Sequence, residues 1–124
     1  MMRIEFEDGE VIADRVVEAK TFAERSKGLL GRSSLEPGEG MYFAHCSSIH
    51  MWFMRMAIDV IFLDADYRVT RICRKLPPWA MAAGGLRTKH TLELPAGSLP
   101  ESRPAKGERL VIAEQEVIGE RLEG

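Results

Sequence analysis

Ile58-Asp59-Val60-Ile61-Phe62-Leu63 is the stretch on which the fold turns. Side chains of a strand point alternately to its two faces, and here both sets are apolar except for Asp59. A strand of this kind must be covered on both sides, so it belongs at the centre of a sheet. Working outward, Met41–His45, Ile49–Met54, Arg68–Lys75, Thr91–Leu94 and Arg109–Glu116 read as further strands, and the central one extends over Ile58–Asp64. Asp64-Ala65-Asp66-Tyr67 reads as the hairpin turn between the central strand and Arg68–Lys75. Met2-Arg3-Ile4-Glu5-Phe6-Glu7 alternates apolar and charged residues, the period of a strand with one wet face. Asp8-Gly9 then predicts a two-residue hairpin turn, with Val11 to Glu18 returning as the second strand.

The period changes between Lys20 and Arg32. Thr21-Phe22-Ala23-Glu24 has the form of a capping box, and Phe22, Ala23, Ser26, Leu29 and Leu30 share one side at 100° per residue. This predicts one short α-helix over about 21–31, stopped at Gly31. Arg25, Gly28 and Arg32 run along one flank of its apolar face. Strands at this spacing with a single helix and many Gly and Pro turns predict a mainly β fold, a distorted β-sandwich or barrel with the helix packed on it. Leu76 to His90, with Pro77-Pro78, Trp79, Met81 and Gly84-Gly85, reads as a long loop.

The 124 residues suffice for one domain, 1–124, that needs neither disulfides nor a structural metal to hold a core. Against 17 Lys+Arg stand 19 Asp+Glu, a net charge of −2, which argues against nucleic-acid binding. No apolar run reaches the roughly 18 residues of a membrane span, and no signal peptide or lipid anchor is legible. With Cys46 and Cys73 far apart in sequence, reduced thiols and a cytoplasmic location are expected.

The ordered set Arg25-x-x-Gly28-Leu29 with Arg32 and Leu35, Gly40-Met41-Tyr42-Phe43, His50-x-x-Phe53-Met54-Arg55 leading into Ile58–Asp64, Leu92-Glu93-Leu94-Pro95-Ala96-Gly97, and Gly107-Glu108 before Leu110 resembles the prokaryotic family called domain of unknown function 192. The resemblance runs from about Ala19 to Val111 and implies a single, mainly β domain with one short helix. The activity of that family is not established, so the resemblance implies an architecture and candidate positions only. Met56-Ala57 stands where relatives often carry Asn-Thr or Phe-Pro, and Leu30 where many carry Met.

Asp59 is the most informative residue, because a carboxylate inside an apolar strand is costly unless it is paired. Arg55, Arg25 and Arg32 are its natural partners, and Asp59 is read either as a structural anchor or as a site carboxylate. Three convergent guanidinium groups would also make a pocket for a carboxylate or phosphate. The leading expectation is a non-catalytic binding module for a small anionic or amphipathic ligand, with Arg25, Arg32, Arg55, Asp59, His50 and Trp79 lining the cleft under the Trp79 loop. One alternative is a hydrolase-like enzyme using Asp59 and His50 as acid and base, which requires both within reach of one substrate atom. Another is a protein-interaction domain with Trp79 and Met81 as exposed anchors. His45, Cys46, His50 and Cys73 match no familiar zinc spacing, so neither a metal nor another cofactor is expected. Arg68, Arg71, Arg74 and Lys75 read as a solvated strand edge.

Overall fold

The computed structural model describes residues 1–21, 32 and 34–114. Among these described residues nine strands follow in chain order: β1 Met2–Phe6, β2 Val11–Glu18, β3 Glu39–Ala44, β4 Ser48–His50, β5 Ile58–Leu63, β6 Val69–Leu76, β7 Met81–Ala83, β8 His90–Pro95 and β9 Leu110–Glu114. Seven of them form one sheet in the order β6-β5-β8-β3-β2-β1-β9, and β4 and β7 form a separate pair. The expected mainly β architecture is the one found. The helix expected over about 21–31, with Arg25 and Gly28, lies outside the described residues.

The long sheet curls until its edges meet. Arg68 bridges Arg109, and the Leu110 amide donates to the Tyr67 carbonyl at 2.9 Å, joining the start of β6 to the start of β9. Inside the curl lies a core to which all seven strands contribute, including Ile4, Val16, Tyr42, Ile61, Leu63, Leu92 and Leu110. The outer face carries a second cluster, in which Ile58, Val60 and Phe62 of β5 meet Met51, Met54 and Ala82. Both faces of β5 are therefore covered, as its composition demands: every residue of the strand is buried.

Ile49–Met54 does not continue as a strand. Only Ser48–His50 is extended, and the chain then turns so that Met51 and Met54 are buried while Trp52 and Phe53 face water. The long Leu76–His90 segment supplies a strand not expected from sequence. Met81-Ala82-Ala83 pairs with β4 in antiparallel register, His50 opposite Met81 and Ser48 opposite Ala83.

The first hairpin turn is also one residue longer than expected. Phe6 N donates to Glu10 O at 2.9 Å and Gly9 N to Phe6 O at 3.0 Å, a three-residue turn in which only Gly9 has a positive φ, 92°. Asp64–Arg68 repeats this pattern: Asp64 N donates to Arg68 O at 2.9 Å and Tyr67 N to Asp64 O at 3.0 Å. The left-handed position is now held by a tyrosine at φ 63°, whose ring stacks on His90 at 5.3 Å. Strands β2 and β3 pair in parallel, so the chain must cross over between them.

Candidate functional site

Asp59 points into the curl, level with Leu94 of β8, at the end of the inner core. It is 1 % exposed, and among the described residues its carboxylate is satisfied by main-chain amides. Oδ1 accepts from Lys75 N at 2.8 Å, and Oδ2 from Gly97 N at 3.1 Å and Leu99 N at 3.2 Å. This ties the last turn of β6 and the loop after β8 to the central strand, and Leu99 then plugs the inner core. Of the expected guanidinium partners, neither Arg32 nor Arg55 is brought to it. Arg32 is exposed and reaches Glu39 at 3.3 Å, Arg55 is exposed with no ion pair among the described residues, and Arg25 lies outside them. The physical reason is that three amides pointing at one carboxylate satisfy it without the cost of desolvating an arginine.

His50 is exposed on β4, on the outer-face side, with its ring stacked on Trp52 at 4.6 Å. Asp59 and His50 therefore lie on opposite sides of the sheet, and the acid–base pairing has no shared substrate position. Cys46 and Cys73 are free and half-buried. Among the described residues no group of three or more His, Cys, Asp or Glu side chains is placed to hold a metal ion.

The structure does assemble an aromatic surface. Phe53 and Trp79 lie 4.8 Å apart between ring centroids, exposed to 68 % and 60 %, with Trp52 and Met81 also exposed. Both Phe53 and Trp79 adopt left-handed backbone, at φ 65° and 70°. The two loops are clamped together by main chain, Met51 N donating to Ala80 O at 2.6 Å and Trp79 N to Met51 O at 2.7 Å. A left-handed non-glycine residue costs on the order of 1–2 kcal/mol, so two such residues hold large rings in water at a measurable expense.

The same outer face carries a carboxylate that sequence reasoning passed over. Glu93 of β8 stands between Met41 of β3 and Val60 of β5, both on the apolar outer cluster. It is buried, and no donor reaches its carboxylate among the described residues. Burial pushes its pKa up to about 7. The signal was available: Leu92-Glu93-Leu94 sets an acid inside an apolar run just as Ile58-Asp59-Val60 does.

On the inner face, His90 is buried beside Tyr42, Tyr67 and His45, with centroids 5.6, 5.3 and 5.7 Å away. Burial, and then the neighbouring His45, lower the pKa of His90, and burial raises that of Tyr42, so both shifts favour the neutral form of these two side chains. The edge arginines of β6 and the turn before it are ties rather than a merely solvated fringe. Arg68 donates to Gly107 O, Arg71 to Ala83 O, and Arg74 to the carbonyls of Pro100 and Arg103.

The family model for domain of unknown function 192, described as Uncharacterized ACR, COG1430, matches residues 4–112. The chain belongs to this family. Within it, the chain is similar to the UPF0127 protein PH1112 of Pyrococcus horikoshii, 36 % identical over 64 residues, which cover 52 % of this chain and 55 % of that protein. A UPF0127 protein of Thermococcus sibiricus is 34 % identical over 96 residues, covering 72 % of this chain and 60 % of its own. The chain thus spans somewhat more than half the length of these curated relatives. Among solved structures, a protein of unknown function from Novosphingobium aromaticivorans superposes with a TM-score of 0.75 at 26 % identity, over 89 % of this chain and 82 % of that one. The family is described without an activity, and a shared fold does not by itself fix one.

Proposed function

We propose that this member of the family is a non-catalytic binding module that receives a small amphipathic ligand on the rim of the outer face. The apolar part of the ligand rests against Trp52, Phe53 and Trp79, and its anionic end is met by Arg55, two residues along the same loop. The observation that carries this reading is the pair Phe53 and Trp79, two exposed rings in contact, both on left-handed backbone. Folding alone would select glycine or asparagine at such positions, and strain retained at exposed aromatics is characteristic of binding surfaces. Asp59 is left out of the site, since its oxygens are occupied by amides. No helix of the described residues is long and apolar enough to cross a membrane, and the two free thiols support a reducing compartment, the cytoplasm.

The exposure of Trp79 and Met81 favours a second reading, in which the same rings are anchors for a partner protein. Trp52 and Trp79 are the two tryptophans of the chain, so their emission reports this surface directly. Titration with decanoate, and with a neutral decyl glycoside, both below micelle formation, is expected to give a saturable blue shift. Arg55→Glu should weaken decanoate and leave the glycoside unchanged, and Phe53→Gly should weaken both. Emission that does not saturate, or that shifts equally in Phe53→Gly, overturns the small-ligand reading and leaves the protein-anchor reading standing.

A further inference from the structure

A concavity of about 470 Å³ opens at the other end of β5, where the two edges of the curled sheet meet. Arg68, Arg87 and Lys106 line it together with Thr70, Leu86 and Asp64. We propose that it is a second binding site, for a small organic anion whose charged group lies among the three cations and whose apolar part lies on Leu86.

Charge, apolar surface and rigidity each contribute to this assignment. Three cations face a single carboxylate, and the Oδ1 of that carboxylate is already engaged by Asp66 N and Arg68 N, both at 2.9 Å. Arg87 and Lys106 are exposed and have no ion pair among the described residues, so their charge is available to a ligand. Arg68 is aimed by its bond to Gly107 O at 3.1 Å, which uses one of its five N–H donors and leaves the guanidinium able to grip an oxyanion. Leu86 is 103 % exposed, an apolar side chain with no cover beside this cationic group.

The walls are fixed by main-chain and hydroxyl contacts. Gly107 N donates to Val69 O at 2.7 Å, Gly84 N to Ser47 O at 2.9 Å, and the Thr70 and Thr88 hydroxyls lie 2.6 Å apart. A side chain on Gly84 would collide with Thr88 Oγ1 and meet Phe62 at 2.7 Å, so the turn carrying Leu86 and Arg87 packs where only glycine fits. The volume falls in the range of small-ligand sites, and a preformed cleft spares the ligand much of the cost of ordering loops.

The probes are phenyl phosphate, benzoate and inorganic phosphate, titrated by calorimetry and by amide chemical shifts. Phenyl phosphate is expected to saturate, to shift the amides of Arg87, Lys106 and Gly107, and to bind more tightly than singly charged benzoate. The double variant Arg87→Glu with Lys106→Glu should weaken it at least about tenfold, and added salt should weaken it in the unmodified protein. Leu86→Ser should weaken phenyl phosphate and leave inorganic phosphate unchanged. All three substitutions are at exposed positions, and thermal unfolding verifies the fold of each variant. Titration that does not saturate, or equal binding in the double variant, overturns the anion site. Equal binding of phenyl phosphate in Leu86→Ser overturns its apolar half. Trp52 and Trp79 emission should not respond to inorganic phosphate, which separates this result from the aromatic surface.

Discussion

Asp59 and Glu93 lie on adjacent strands, one register step apart, and each interrupts a run of apolar residues. Asp59 faces into the curl and accepts three main-chain hydrogen bonds, whereas Glu93 faces outward onto methionine and valine and accepts none among the described residues. The contrast extends to the surroundings. On the inner face Asp59 is met by backbone donors, and its loops and the His90 cluster close the two ends. The outer face and its rim hold a buried carboxylate with no donor among the described residues and two exposed rings on left-handed backbone. Left-handed backbone also occurs inside the curl, at Tyr67, but there the ring stacks on His90. At the rim Phe53 and Trp79 instead present their rings to water, which is where a binding surface is to be sought.

The largest effect is expected from removing the inner anchor. Asp59→Ala leaves three inward-pointing amides without an acceptor, and urea unfolding should show a loss of about 4 kcal/mol. A loss below about 1 kcal/mol would end the contrast between the two carboxylates.

Glu93 should behave in the opposite sense. Its folded-state pKa of about 7 lies above the ordinary 4.5, so between these values the native protein keeps a proton that the unfolded chain has released. Its contribution is therefore most favourable below about pH 4.5, declines as pH rises, and is fully lost above about pH 7. Glu93→Gln should exceed the unmodified protein in stability by about 3 kcal/mol at pH 8, and the two should converge by about pH 4. Taking the difference between the two proteins removes the contribution of His90, whose lowered pKa acts oppositely by reducing stability as pH falls below its ordinary 6.5. Parallel pH profiles would show that Glu93 has a donor after all.

Tight packing beside the same strands gives a smaller effect. A Cβ at Gly40 would stand 2.9 Å from the Glu93 carbonyl and 2.8 Å from a Leu94 methyl, and a backbone oxygen cannot swing aside. Gly40→Ala should cost about 2 kcal/mol by prising β3 from β8, measurable as a lowered midpoint of denaturation. The smallest change is expected at the rim, where Phe53→Gly removes an exposed ring and relieves its φ of 65°. Stability should hold or rise by up to about 1 kcal/mol while ligand binding falls, and a marked loss of stability would make Phe53 a packing residue instead.

Much of the fold was legible because the apolar period is a local property. The doubly buried β5 and the alternating β1 and β2 can be read directly, and the ordered blocks from Arg25 to Glu108 indicate the family. The misread elements are those that neighbours decide. Met81-Ala82-Ala83 has little strand preference and becomes β7 only because β4 offers it an edge. Tyr67 takes a left-handed turn position that sequence would assign to glycine, with its ring stacked against His90.

The candidate site divides along the same line. Sequence by itself determined that Asp59 is buried and therefore satisfied, that Trp79 sits in an unusual loop, and that the chain is a mainly β member of its family. Only the tertiary structure decided what satisfies Asp59, because the amides of Lys75, Gly97 and Leu99 are 16, 38 and 40 residues distant along the chain. It alone put Asp59 and His50 on opposite sides of the sheet, and it alone gathered Arg68, Arg87 and Lys106 at the seam. Burial follows from the local pattern of side chains, whereas a partner is chosen by which distant segments the sheet brings within about 3 Å, and that distance is set by the whole curl.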